Sequence, residues 1–400
     1  MNTLAEYPTR AATGTALYVH LPFCAAKCHY CDFFSVAGAG HDIEGMLSAI
    51  LAEAEAFAPR EPATVFLGGG TPSLLSGDQL RRFLDGLDRL TGFRGSAVEV
   101  TAECNPESLD RHKAKWLLDL GVRRLSIGFQ SLDDAVLERF GRVHTVEDSF
   151  RAFEAARVAG VPEINVDLIY AYPGQTAAQW DADLARVLSL SPDHVSAYNL
   201  TFEEETPFRR WLDQGILAKA SEDLELELFD RVRARLRGAG FEAYEISNYA
   251  RGEKRCAHNV NYWRNGAYLG IGPSAVSRLG DGGSLDAPYV RRGNVKSIQG
   301  YVQRVREQGH AVQWEERLDA AARLGETWWL GLRLAEGVDP ERARRVAGFA
   351  NPDGGDPALD TARRLEGQGL LLLRDGRFVL SERGTPLADF VGREFLEVAR

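Results

Sequence analysis

Cysteine and methionine are scarce in this chain of 400 residues, with five of the first and two of the second. An odd, low cysteine count excludes a disulfide framework of the secreted type. No apolar run approaches 18 residues, which excludes a spanning helix, and no apolar h-region opens the chain, so no secretory signal is expected. An excess of positive charge is also missing. Lys and Arg number 47 against 57 Asp and Glu, a formal charge of −10. That balance excludes a broad nucleic-acid-binding face. No fixed-period repeat is visible. What remains is ordinary for a globular protein of two or three domains, at 44% hydrophobic and 26% charged.

The few cysteines are not spread evenly. Three of the five, Cys24, Cys28 and Cys31, lie in the stretch Y-V-H-L-P-F-C-A-A-K-C-H-Y-C-D-F-F from Tyr18 to Phe34. Buried structural cysteines have no reason to cluster, so the C-x3-C-x2-C spacing calls for a metal. Three thiolates can hold three irons of a [4Fe–4S] cluster and leave the fourth open to a small ligand. A closed zinc site is the alternative. It needs a fourth ligand from His20, His29, Cys104 or Cys256, and no second C-x2-C pair exists. A thiolate cluster needs a reducing compartment, so the cytoplasm is expected. Composition leaves peripheral contact with a membrane open.

Along the chain, short apolar runs begin at Leu17, Val65, Val98, Leu125, Ile164 and Val195. Amphipathic stretches at 42–57, 77–90, 108–120, 133–140 with 146–159, and 176–189 separate them. This alternation predicts right-handed βαβ units and an α/β fold with a parallel sheet. Six units fit an incomplete TIM-like (β/α)6 barrel, whose chemistry belongs at the C-terminal strand ends. Several polar residues fall there. Gly68-Gly69-Gly70-Thr71 follows the second run, lacks the G-K-[ST] ending of a phosphate loop, and leaves backbone groups open to a close ligand. Glu103 ends the third run, as a ligand-binding acid or a helix cap. Gln130 ends the fourth, and Arg142 follows in F-G-R-V-H-T, able to pair with a carboxylate. Asp167 sits inside the apolar fifth run, where an acid is costly without a partner. Cys104 reads as a small core residue.

With these motifs in view, the chain resembles the radical SAM superfamily. More closely, Y-V-H-L-P-F-C-x3-C-x2-C is similar to the oxygen-independent coproporphyrinogen III oxidase group. The oxidase branch of that group carries a fourth cysteine two residues after the third. The HemW-type heme chaperone branch has phenylalanine there, as this chain does at Phe33. The short lead, residues 1–16, points the same way. The resemblance implies that Cys24, Cys28 and Cys31 hold a [4Fe–4S] cluster. It also implies that Tyr18, Gly69, Gly70, Thr71, Glu103, Gln130, Arg142 and Asp167 contact S-adenosylmethionine, whose C–S bond one electron from the cluster can cleave. An electron donor such as flavodoxin or ferredoxin follows from that chemistry.

Further on, 203–237 begins with three glutamates and reads as a charged helix, and Y-E-I-S-N-Y at 244–249 alternates like a strand. Then comes His258-Asn-Val-Asn-Tyr262-Trp263. By residue type alone it is a loop histidine bonded to backbone, with two aromatics suited to a porphyrin face. H-N-x-x-Y-W resembles the heme-binding motif of the HemW branch, which implies heme at His258, Tyr262 and Trp263. G-I-G-P-S-A at 270–275 is a weak dinucleotide hint, and Val276 stands where the family often has histidine. Gly280 to Asp286 reads as a looser stretch. The expected units are a lead at 1–16, a barrel at 17–240, an extension at 241–310 and a C-terminal unit at 311–400. In the last, helices at 319–334, 339–348 and 357–368 precede a hairpin across Asp375-Gly376, which looks like a winged-helix α+β module. The function implied is heme binding and transfer to a client, of the respiratory-chain kind among others. The alternative is oxidative decarboxylation of coproporphyrinogen III, and the enzyme reading stays open.

Overall fold

The computed structural model describes residues 14–280, 289–350 and 355–397. Most of the lead and nearly all of the stretch after Gly280 therefore lie outside the described residues.

The strands run in chain order as follows. β1 is Ala16–Leu21, β2 Phe23–Cys24, β3 Val36–Ala37, β4 Thr64–Gly69, β5 Glu99–Cys104, β6 Arg124–Gln130, β7 Glu163–Tyr170 and β8 His194–Asn199. β9 is Glu242–Ala243, β10 Asn248–Ala250, β11 Tyr268–Ile271, β12 Val276–Gly280, β13 Tyr289–Asn294, β14 Val312–Arg317, β15 Leu371–Arg374 and β16 Arg377–Leu380. Six of them, β1 and β4 to β8, pair in sequence and in parallel. They are buried almost without alternation, because helices cover one face and the barrel interior takes the other. Leu17, Val19, Val65, Leu125, Ile127, Ile164 and Val195 are all fully buried there.

Local chemistry fixes the helices between them. Ser76 with Gln79, Thr145 with Asp148 and Thr176 with Gln179 form reciprocal capping boxes at three helix starts. Gly92 and Gly160 end two of the helices in left-handed conformation. Among the described residues the sheet has twelve strands in the order β14-β13-β12-β11-β1-β4-β5-β6-β7-β8-β10-β9, so the barrel stays open. β11 joins β1 in parallel, and β12 to β14 continue antiparallel. The main sheet thus runs to Arg317, past the expected boundary near residue 310.

Two expected elements come out differently. Tyr244 to Ser247 forms no ladder, and only Asn248–Ala250 pairs with β8. The Glu245 carboxylate accepts from the Ser247 amide at 2.9 Å and from Asn248 Nδ2 at 2.6 Å, a local bend that competes with strand pairing. The charged helix splits into Pro207–Asp213 and Glu222–Gly238, with Gly215 in left-handed conformation between them and the glutamates 203–205 outside both.

The C-terminal unit has its own core of Leu324, Trp328, Leu365, Phe378 and Phe395, with Trp328 stacked on Phe395 at 4.9 Å. Helices Ala320–Gly331, Pro340–Ala347 and Pro357–Gly367 precede the β15–β16 hairpin, the winged-helix-like arrangement. Asp375 and Gly376 both have positive φ, as a two-residue hairpin turn requires.

Candidate functional site

A cavity of about 1370 Å³ occupies the barrel interior. Cys24, Cys28 and Cys31 line it beyond the strand ends, while His258 and Tyr262 line it deeper, toward the strand starts. The cysteine loop is fixed from outside. Its base is closed by the short β2–β3 pairing. The His29 amide donates to the Phe140 carbonyl at 2.9 Å, and its carbonyl accepts from the Phe208 amide at 3.0 Å. Tyr30 packs edge-on against Phe140 and Phe208. His29 also places Nδ1 2.9 Å from the Arg139 carbonyl, and His20 places Nε2 2.7 Å from the Phe34 carbonyl. Both histidines that a zinc site could recruit are thus engaged elsewhere.

The three thiols are half-buried and unbridged. Burial, with Cys28 beside it, pushes the Cys31 thiol up to about 12, and burial also raises Cys24. Thiolates in such a place need positive charge, which cluster irons supply. Among the described residues no three His, Cys, Asp or Glu side chains converge on one ion. A cubane cluster asks for no such convergence, because each corner iron takes its own thiolate.

The glycine loop packs more tightly than its composition suggested. A Cβ on Gly69, whose φ is 90°, would lie 2.3 Å from the His20 ring. One on Gly70 would lie 2.4 Å from the Leu21 carbonyl oxygen, and one on Gly68 would lie 2.6 Å from the Glu103 carboxylate. These Cβ positions are taken by His20 and Leu21 of β1, by Phe23 and by Glu103, while Gly69, Gly70 and Thr71 line the cavity. Thr71 donates its amide to Phe23 at 2.7 Å and accepts from Asn105 Nδ2 at 2.9 Å.

Two carboxylates face the cavity. Glu103 accepts from the Gly69 amide at 3.0 Å, and desolvation with Asp167 nearby raises it to about 7. Asp167 accepts from Ser126 at 2.8 Å and from Asn165 at 2.7 Å, and desolvation raises it as well. Neither forms an ion pair among the described residues, so a cationic ligand such as S-adenosylmethionine fits the pair. Gln130 lines the cavity from a left-handed backbone (φ 65°), where β6 slips register against β7. Tyr18 lines it too, its hydroxyl 3.0 Å from His20 Nδ1. Phe33 lines the wall and is 61% exposed. Arg142 lines the cavity, has the Glu107 carboxylate in its electrostatic reach, and points Nη1 at Cys28 Sγ at 3.6 Å.

His258 is not on a loop. It is buried in the helix Ala257–Trp263, whose first amides donate to the Glu99 carboxylate at 2.7 and 3.1 Å. Its partners are hydroxyls rather than backbone. Nδ1 lies 2.8 Å from Thr64 and Nε2 3.1 Å from Tyr262. Burial lowers the imidazole to about 3, so it is neutral, the form that binds heme iron. Trp263 stands outside the cavity wall. It packs with Tyr244, Ala250 and Leu334, and the Arg333 guanidinium covers its ring at 4.6 Å.

Sequence reasoning missed Thr64, Glu99 and Asn105, and also the segment 382–389 of the C-terminal unit, most of which lines the same cavity. Only Asn105 carried a signal, two residues after Glu103 at a strand end.

The Radical SAM superfamily model matches residues 18–187. The heme chaperone HemW of Bacillus subtilis is 32% identical over 384 residues, 95% of this chain and 98% of that protein. The Mycobacterium tuberculosis heme chaperone HemW is 34% identical, over 95% and 94% of the two chains. The mouse radical S-adenosyl methionine domain-containing protein 1, mitochondrial, is 34% identical over 92% and 84%. The solved coproporphyrinogen III oxidase (HemN) of Escherichia coli shares the fold, with a TM-score of 0.80 at 24% identity over 98% and 91%. By likeness along nearly its whole length, this chain belongs to the heme chaperone HemW family of radical SAM proteins.

Proposed function

We propose that this protein binds heme in its barrel cavity and hands it to a client protein in the cytoplasm. A [4Fe–4S] cluster on Cys24, Cys28 and Cys31 and S-adenosylmethionine beside Glu103, Gln130 and Asp167 share the cavity with the heme motif. The observation that carries this is one cavity whose wall holds both the cysteine trio and His258 with Tyr262. When bound, the cluster supplies an open iron and one electron; the client and the electron donor are proteins that reach the cavity mouth. Phe33 supports the chaperone reading, because it presents an apolar ring where the oxidase branch carries a fourth thiol.

The test is anaerobic reconstitution followed by two assays on one preparation. Heme titration should give a saturable Soret band, and coproporphyrinogen III should stay unconverted. Formation of protoporphyrinogen IX at ~1 per second or faster, an enzyme-like rate, would reverse the assignment.

A further inference from the structure

Asn105 follows β5 and lies between two of the cluster cysteines. Its amide Nδ2 donates to Thr71 Oγ1 at 2.9 Å, and its Oδ1 accepts from Arg142 Nη2 at 2.8 Å. Each end reaches toward a different thiol. The Thr71 hydroxyl bonds the Cys24 side chain. Arg142 Nη1 donates to Cys28 Sγ at 3.6 Å. The guanidinium has little freedom otherwise, since Nη2 also donates to the Gly128 carbonyl at 2.9 Å and Nε faces His144 Nδ1 at 3.4 Å. An amide is the side chain that accepts at one end and donates at the other, which is what an arginine on one side and a threonine oxygen on the other require.

We infer that Asn105 is a positioning residue for the cluster: it holds the Arg142 guanidinium against the Cys28 sulfur and so raises the reduction potential of the cluster bound there. A cation and a hydrogen bond at a ligating sulfur stabilise the more negative, reduced state. Asn105 itself touches no thiol and acts through Arg142.

This rests on the cluster reading, and the experiment separates the two. Wild type, Asn105→Leu, Arg142→Gln and the double variant are reconstituted anaerobically as full chains, and iron and sulfide are counted. Midpoint potentials follow from redox titration monitored by electron paramagnetic resonance. Each single variant should shift the midpoint to more negative values at full iron content. The double variant should match Arg142→Gln alone, because the leucine has no charge left to misplace. Where Asn105→Leu fails to retain iron, Asn105→Ser is used in the same cycle with the same expectation. Unchanged midpoints, or shifts that add in the double variant, overturn the inference. A wild type without iron overturns the cluster reading and this inference together.

Discussion

His258 Nε2 lies 3.1 Å from the Tyr262 hydroxyl, one helical turn away, and the two rings meet edge to face at 4.9 Å. The nitrogen that would ligate heme iron is therefore already occupied, as is Nδ1 by Thr64. Heme can take Nε2 only when the tyrosine hydroxyl swings away. Tyr262→Phe keeps the ring and frees the nitrogen, so it should tighten heme binding by the worth of one hydrogen bond, about 1 kcal/mol or fivefold. His258→Ala should lose the ligated Soret band, with cluster content unchanged. Titration by absorption spectroscopy reads both, and equal affinity in all three proteins would place heme elsewhere.

Serine at Cys24, Cys28 or Cys31 should abolish the brown chromophore and most of the bound iron. Iron and sulfide analysis after anaerobic reconstitution checks it. About four irons per chain in the triple variant would count against these ligands, since that is a cubane's complement.

Glu103 gives the ligand-free protein a pH dependence. Its folded value of about 7 stands above the ordinary 4.5. Stability from this group is complete below about pH 4.5 and is lost as pH rises through 7, to a total of about 3 kcal/mol. Glu103→Gln should therefore melt higher than wild type near pH 8, and the gap should close near pH 5. The same variant should bind S-adenosylmethionine more weakly above about pH 7, where the wild-type carboxylate is ionised and the amide offers a cation no charge. Thermal melts across pH and equilibrium binding test the two halves separately.

Gly69→Ala should be costly. The left-handed φ of 90° and the His20 ring 2.3 Å from the added Cβ both oppose it. The expected loss is on the order of 3 kcal/mol, seen as a lower urea midpoint at unchanged slope. Gly174→Ala is the control, with φ 86° and nothing within 4 Å of its Cβ, and should lose only the backbone part.

The barrel was legible because each parallel strand is a short apolar run and the longer helices between them carry their own caps, as at Ser76, Thr145 and Thr176. Those signals are local. The cysteine spacing was legible for the same reason. The helix at 257–263 was not. Neither its length nor its composition favours helix, and Glu99, more than 150 residues away in sequence, holds its start. Tyr244 to Ser247 alternates like a strand but bends around the Glu245 carboxylate. The glycines of 68–70 announced a close approach without revealing that His20, Leu21 and Glu103 make it. Residues 382–389 reach the cavity through docking of the C-terminal unit, which no local pattern records.

A seven-residue helix has no standing of its own in water, where isolated helices shorter than about 12 residues are marginal. Because the Ala257 and His258 amides donate to a carboxylate on β5, this helix is formed when the barrel is formed. Those two amides should exchange with deuterium as slowly as the central strands, through whole-molecule opening rather than local fraying. The motif is for the same reason not portable: H-N-x-x-Y-W grafted into another protein, or made as a peptide, would bring the letters without the architecture that Glu99 and Thr64 give them.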